Sequence, residues 1–137
     1  MKKALLTILF GIASLVIFGQ ARIGYTATQI KNEFWESEYN LHSGYDEDGN
    51  YYISITTERA DVFYLFNSDK VCYSTGIFPH TQGDLNFYVE LFNKMYVIVS
   101  PTKWKWYSNK GIVNINLIYP EDGGNCFFLF SIESLER

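Results

Sequence analysis

Apolar residues alternate with polar ones along several short runs of this chain and recur at helical spacing along two others. In residues 112–119, Val113, Ile115, Leu117 and Tyr119 share one side, with Asn114 and Asn116 on the other between Ile112 and Ile118. Successive side chains of a strand point to opposite faces, so this is a strand pattern. Residues 126–132 put Cys126, Phe128, Phe130 and Ile132 on one side and Phe127 and Leu129 on the other. Residues 51–57 alternate Tyr51, Ile53 and Ile55 against Tyr52, Ser54 and Thr56. Residues 61–67 hold the run VFYLF expected of a central strand, and residues 70–78 follow after the tight connection Asn67-Ser68-Asp69-Lys70. Val97, Ile98 and Val99 predict a short strand stopped by Pro101.

Helical spacing occurs twice. Thr26 and Gln29 match a capping box, with Tyr25 and Ile30 placed as a hydrophobic staple. Ile30 and Phe34 then share a face, predicting a helix over residues 27–36. Leu85, Tyr88, Val89 and Phe92 predict a second, more buried helix, with Asp84 as its cap and an end near Asn93-Lys94. The expected architecture is α+β: an antiparallel meander sheet of about six strands with two helices on one face. A helix, a connection rich in Gly, Asp and Asn, and three strands occur twice, so the layout reads as two helix-plus-three-strand units. Turn chemistry alone can also produce the likeness between YDEDGNYY and YPEDGGNCFF.

The N-terminus changes the picture of where the protein works. MKK, an apolar stretch over residues 4–18 and Gly19-Gln20-Ala21 describe a secretory signal peptide over residues 1–21, followed by one domain over 22–137. Fifteen helical residues reach about 22 Å, short of a hydrocarbon core of roughly 30 Å, which argues against a stable membrane anchor. The expected destination is periplasmic or extracellular. The formal charge of −4 becomes more negative once Lys2 and Lys3 leave, which argues against nucleic acid and anionic lipid as partners. The 11 Phe, 11 Tyr and 3 Trp imply a core built from rings, with some rings at the surface.

Little in the chain has the spacing of catalytic or metal chemistry. There is no phosphate-cradling glycine loop, serine elbow or paired-cysteine metal motif, and no cofactor is expected. Asp46, Asp48 and Asn50 fit the first positions of a calcium loop, but Tyr51 and Thr57 stand where glycine and glutamate are needed, so a turn is expected instead. His42 and His80 read as separate loop positions rather than a metal pair, and no metal ligand set is assigned. Cys72 and Cys126 are a candidate disulfide in an oxidising compartment; the alternative is two small buried apolar residues. A cysteine site, or carboxylates among Glu58, Asp61, Glu121 and Asp122, would make the chain a small secreted hydrolase.

The distinctive surface candidate is Lys103-Trp104-Lys105-Trp106-Tyr107. Alternation puts Trp104 and Trp106 on one face and Lys103, Lys105 and Tyr107 on the other. Either the tryptophans pack beneath the helices, or they join Tyr52 as a binding platform on the open side of the sheet. The opening IGYTATQIKNEF resembles the helix start of small exported α+β proteins of Gram-negative bacteria, many of uncharacterised function. The two helix-plus-meander units are similar in layout to the beta-lactamase inhibitor protein family. That resemblance implies a binding or inhibitory scaffold and assigns no functional residue. The expected function is a secreted or periplasmic non-enzymatic module for a protein or carbohydrate partner, with the small hydrolase as the alternative.

Overall fold

The computed structural model describes residues 21–34 and 36–133; of the leader expected over residues 1–21, all but Ala21 lies outside them. Eight strands, rather than about six, form one antiparallel sheet. They are β1 (His42–Tyr45), β2 (Tyr51–Thr56), β3 (Ala60–Phe66), β4 (Cys72–Pro79), β5 (Val97–Ser100), β6 (Lys103–Ser108), β7 (Gly111–Ile118) and β8 (Phe127–Ile132). Their spatial order is β1-β2-β3-β4-β8-β7-β6-β5. Each half is therefore a helix followed by a four-strand meander, and the halves join where β4 pairs β8. The unforeseen strand is β1, whose sequence HSGY is short and polar and shows no apolar alternation.

Helix α1 (Ala27–Glu33) begins with the expected capping box. Thr26 Oγ1 accepts from the Gln29 amide at 3.2 Å, and Gln29 Oε1 accepts from the Thr26 amide at 2.9 Å. The helix stops earlier than its spacing predicts, because Phe34 turns extended (φ −111°, ψ 118°). That turn carries the Phe34 ring into the core, edge-on to Tyr39 and stacked on Tyr64. A single helical turn, α2 (Glu36–Tyr39), follows. Helix α3 (Gln82–Met95) is capped by Thr81, not Asp84. In Thr81-Gln82-Gly83-Asp84 the hydroxyl accepts from the Asp84 amide at 3.1 Å and donates to the Asp84 carboxylate at 2.9 Å, which leaves Asp84 inside the first turn. Among the described residues, no helix is long and apolar enough to cross a membrane.

The strand registers define two faces. One row runs Ile53–Tyr64–Thr75–Phe130–Ile115–Trp104, and a second runs Ile55–Val62–Ile77–Phe128–Leu117. All of these residues are buried. They pack beneath Ile30 and Phe34 at α1 and beneath Leu85, Tyr88 and Phe92 of α3. Phe92 is the hub, with Trp104, Phe128 and Phe130 edge-on to it at 5.8, 4.9 and 5.5 Å. Edge-to-face contacts of this kind add to the burial of the rings. All three helical segments thus lie on one face of the sheet.

Candidate functional site

On the opposite face the same registers assemble a band of rings across four strands. Tyr52 on β2 lies 6.4 Å from Phe63 on β3, Phe63 lies 5.5 Å from Phe78 on β4, and Phe78 stacks at 4.7 Å and 18° on Phe127 of β8. The geometry depends on a missing side chain. Gly76, paired with Phe63 and Leu129, sits where a Cβ would come within 3.2 Å of the Phe78 ring. Leu65, Leu129 and Ile118 are half-buried on the same face beside the band. Phe63 is 38 % exposed.

Beyond β8 the same face turns polar. Lys105, Asn114, Ser131 and Ser74 lie in one row, and Lys103 and Asn116 in the next. All of them except the buried Ser74 border a shallow hollow of about 400 Å³. Lys105 donates to Glu133 at 3.1 Å, and that hydrogen bond, with a second from Asn114, holds the Glu133 carboxyl below its ordinary value. Tyr107 projects at the far end of β6, 62 % exposed.

The candidate ring platform therefore divides. Tyr52, Lys103, Lys105 and Tyr107 lie on the open face. Trp104 belongs to the core: it is 1 % exposed and donates its indole N–H to Asn93 of α3 at 2.8 Å. Trp106 shares that parity and packs half-buried against Tyr96. The two tryptophans thus serve helix packing. Phe63, Phe78 and Phe127, not the indoles, are the rings that stand beside Tyr52 on the open face. A sequence signal for this existed: β3 and β8 carry large apolar residues at both parities, whereas a sheet with one wet face alternates.

The thiols do not form the candidate bridge. Ile77 pairs with Phe128, so continuing the register places Cys126 beside Pro79, seven residues along β4 from Cys72. At the rise of a strand that is roughly 23 Å, far beyond disulfide reach. Both cysteines are free. Cys72 is buried, and desolvation pushes its thiol up to about 11 against weaker lowering by hydrogen bonds from its surroundings, leaving it protonated at neutral pH. Cys126 shares a hollow of about 210 Å³ with His80. Both nitrogens of His80 are already engaged, Nδ1 with the Glu58 carbonyl at 3.2 Å and Nε2 with Asp61 at 3.1 Å, so the ring is not oriented as a base for that thiol. His42 lies in β1 rather than in a loop. Asp46 closes the expected turn, its carboxylate accepting from the amides of Asp48 and Asn50. Asp122 does the same for Gly124. Among the described residues, no group of three or more His, Cys, Asp or Glu is placed to hold a metal ion. Comparison with family models, curated proteins and solved structures found no match to this chain.

Proposed function

We propose that this chain is an exported, non-enzymatic recognition module that binds a protein partner through the open face of its sheet. The observation that carries the reading is the continuous band Tyr52–Phe63–Phe78–Phe127, lying on the face opposite all three helical segments. A contiguous apolar patch of this kind marks interaction surfaces, and its aromatic content suits a binding hot spot. The row Lys105, Asn114 and Ser131 beside it supplies the polar rim that such interfaces carry. Phe78 and Phe127 turn their faces toward each other, which favours a protein surface over a sugar ring that would need those faces free. The MKK start and the apolar stretch after it support export.

The test pairs Phe63→Ser with Phe127→Ser in one protein and screens it, beside the wild type, against exported proteins and a glycan panel. The expected result is a saturable protein partner whose affinity falls at least about tenfold in the double variant. Glu90→Gln, on the exposed side of α3, should bind as the wild type does. A partner held equally well by the double variant, or glycans alone as ligands, would contradict the proposal.

A further inference from the structure

The expected export cut falls after Ala21, yet Ala21 is built into the core. It is 0 % exposed, and Arg22 after it is 2 % exposed. The Ala21 carbonyl accepts from the buried Thr75 hydroxyl at 2.5 Å, and the Cys72 thiol approaches the same oxygen at 3.9 Å. Residues immediately following are laced to the start of β4: the Gly24 amide donates to the Cys72 carbonyl at 2.7 Å, and the Cys72 amide to the Tyr25 carbonyl at 2.8 Å. The Arg22 side chain closes the corner with a two-pronged pair to Glu33, from Nε at 2.8 Å and Nη2 at 2.6 Å.

A chain beginning at Arg22 would disrupt this corner in two ways. It would remove the carbonyl acceptor of the Thr75 hydroxyl, leaving that buried group only a weak 3.5 Å contact with the Cys72 thiol. It would also put an α-ammonium on a residue that is already buried and already cationic, while both oxygens of Glu33 are bound by the guanidinium. Burial disfavours such a charge, and a like charge beside it does so further. A chain that keeps Ala21 retains the acceptor, and one that begins before Ala21 also keeps the α-ammonium off both buried residues.

We propose that processing occurs N-terminal to Ala21, so that Ala21 is a structural residue of the mature domain and not the last residue of the leader. This rests on the export reading. Upstream, Gly19 is the nearest small residue that could directly precede a cut, at the Gly19–Gln20 bond, with Ile17 standing where the pattern has its other small residue. An export peptidase would hydrolyse that bond with one water, leaving a carboxylate on Gly19 and an amine on Gln20. The new charge then lies two residues away from Arg22.

Two measurements decide it. Intact mass of the protein from a secreting host should correspond to a chain beginning at Gln20, allowing for cyclisation of that glutamine with loss of ammonia. A chain beginning at Arg22 would overturn the proposal. Full-length chain in the membrane fraction would instead overturn the export reading beneath it, and the retained leader mass distinguishes the two failures. Independently of export, chains produced without a leader and starting at Gln20 or at Arg22 are compared by thermal unfolding. The Arg22 chain should melt lower, and Thr75→Val should lower the midpoint of the Gln20 chain while changing the Arg22 chain much less. Equal midpoints, or an equal effect of Thr75→Val in both, would show that Ala21 has no structural role.

Discussion

Arg22 is the residue whose surroundings are least expected from its type. Its guanidinium lies near the rings of Tyr25 and Phe34, at 5.6 and 5.8 Å, and is held by Glu33. Desolvation opposes the charge, and the Glu33 hydrogen bond and charge more than offset it, so its pKa is raised. Glu33→Gln removes that carboxylate and should lower stability by about 2 kcal/mol, read from the urea midpoint. An unchanged midpoint would mean that other groups at that corner suffice. His80 gives a weaker, pH-dependent term. Its hydrogen bond to Asp61 is the largest cause raising its pKa, so the protonated ring is favoured in the folded state. The stabilisation is complete below the ordinary imidazole value near 6.5 and disappears as pH rises through the higher folded-state value. Both partners are well exposed, 34 % and 49 %, so the term is at most about 1 kcal/mol. Between about pH 6 and pH 8 the wild type should lose more stability than His80→Gln, and parallel pH profiles would remove His80 from the account.

At the scale of elements, legibility followed the range of the interactions that set each one. The α1 capping box is closed within four residues, so Thr26 and Gln29 announced it directly. Thr26→Ala should cost about 1 kcal/mol in a denaturant titration; no loss would mean that the Val71 bridge and core packing hold the helix start without it. The end of α1 was not local, because Phe34 leaves the helix to reach Tyr64, far away in sequence. The cap of α3 lies three residues before the expected Asp84, because Thr81 is also of a type that favours a cap and its hydroxyl takes the Asp84 amide. Strand β1 exists through its pairing with β2, Ser43 opposite Ile53, and not through any pattern of its own. The tryptophans of β6 were correctly placed on one face by alternation, but only the helices reveal that this face is the inner one.

For the whole molecule, the ring band could not be read from the chain because it is a product of register. Phe63 meets Phe78 only because Asp61 pairs with Phe78 and Phe63 with Gly76, and Phe78 meets Phe127 only because Ile77 pairs with Phe128. Gly76 belongs to the same arrangement, and Gly76→Val should force the Phe78 ring aside. A β-branched residue suits a strand, so this substitution should disturb the band more than the fold. Ring-proton shifts of Phe63, Phe78 and Phe127 should move while those of Phe92 and Phe128 stay. Movement of the core rings as well would mean that the two faces are not independent. The central claim is that the helices cover one face of an eight-strand sheet and leave the aromatic band on the other accessible. Solvent paramagnetic relaxation of ring protons tests it without any ligand, using the protein recovered from a secreting host. Phe63 should be strongly broadened, Tyr52, Phe78 and Phe127 less so, and Phe92, Phe128 and Phe130 hardly at all. Protection of Phe63 equal to that of Phe128 would contradict it.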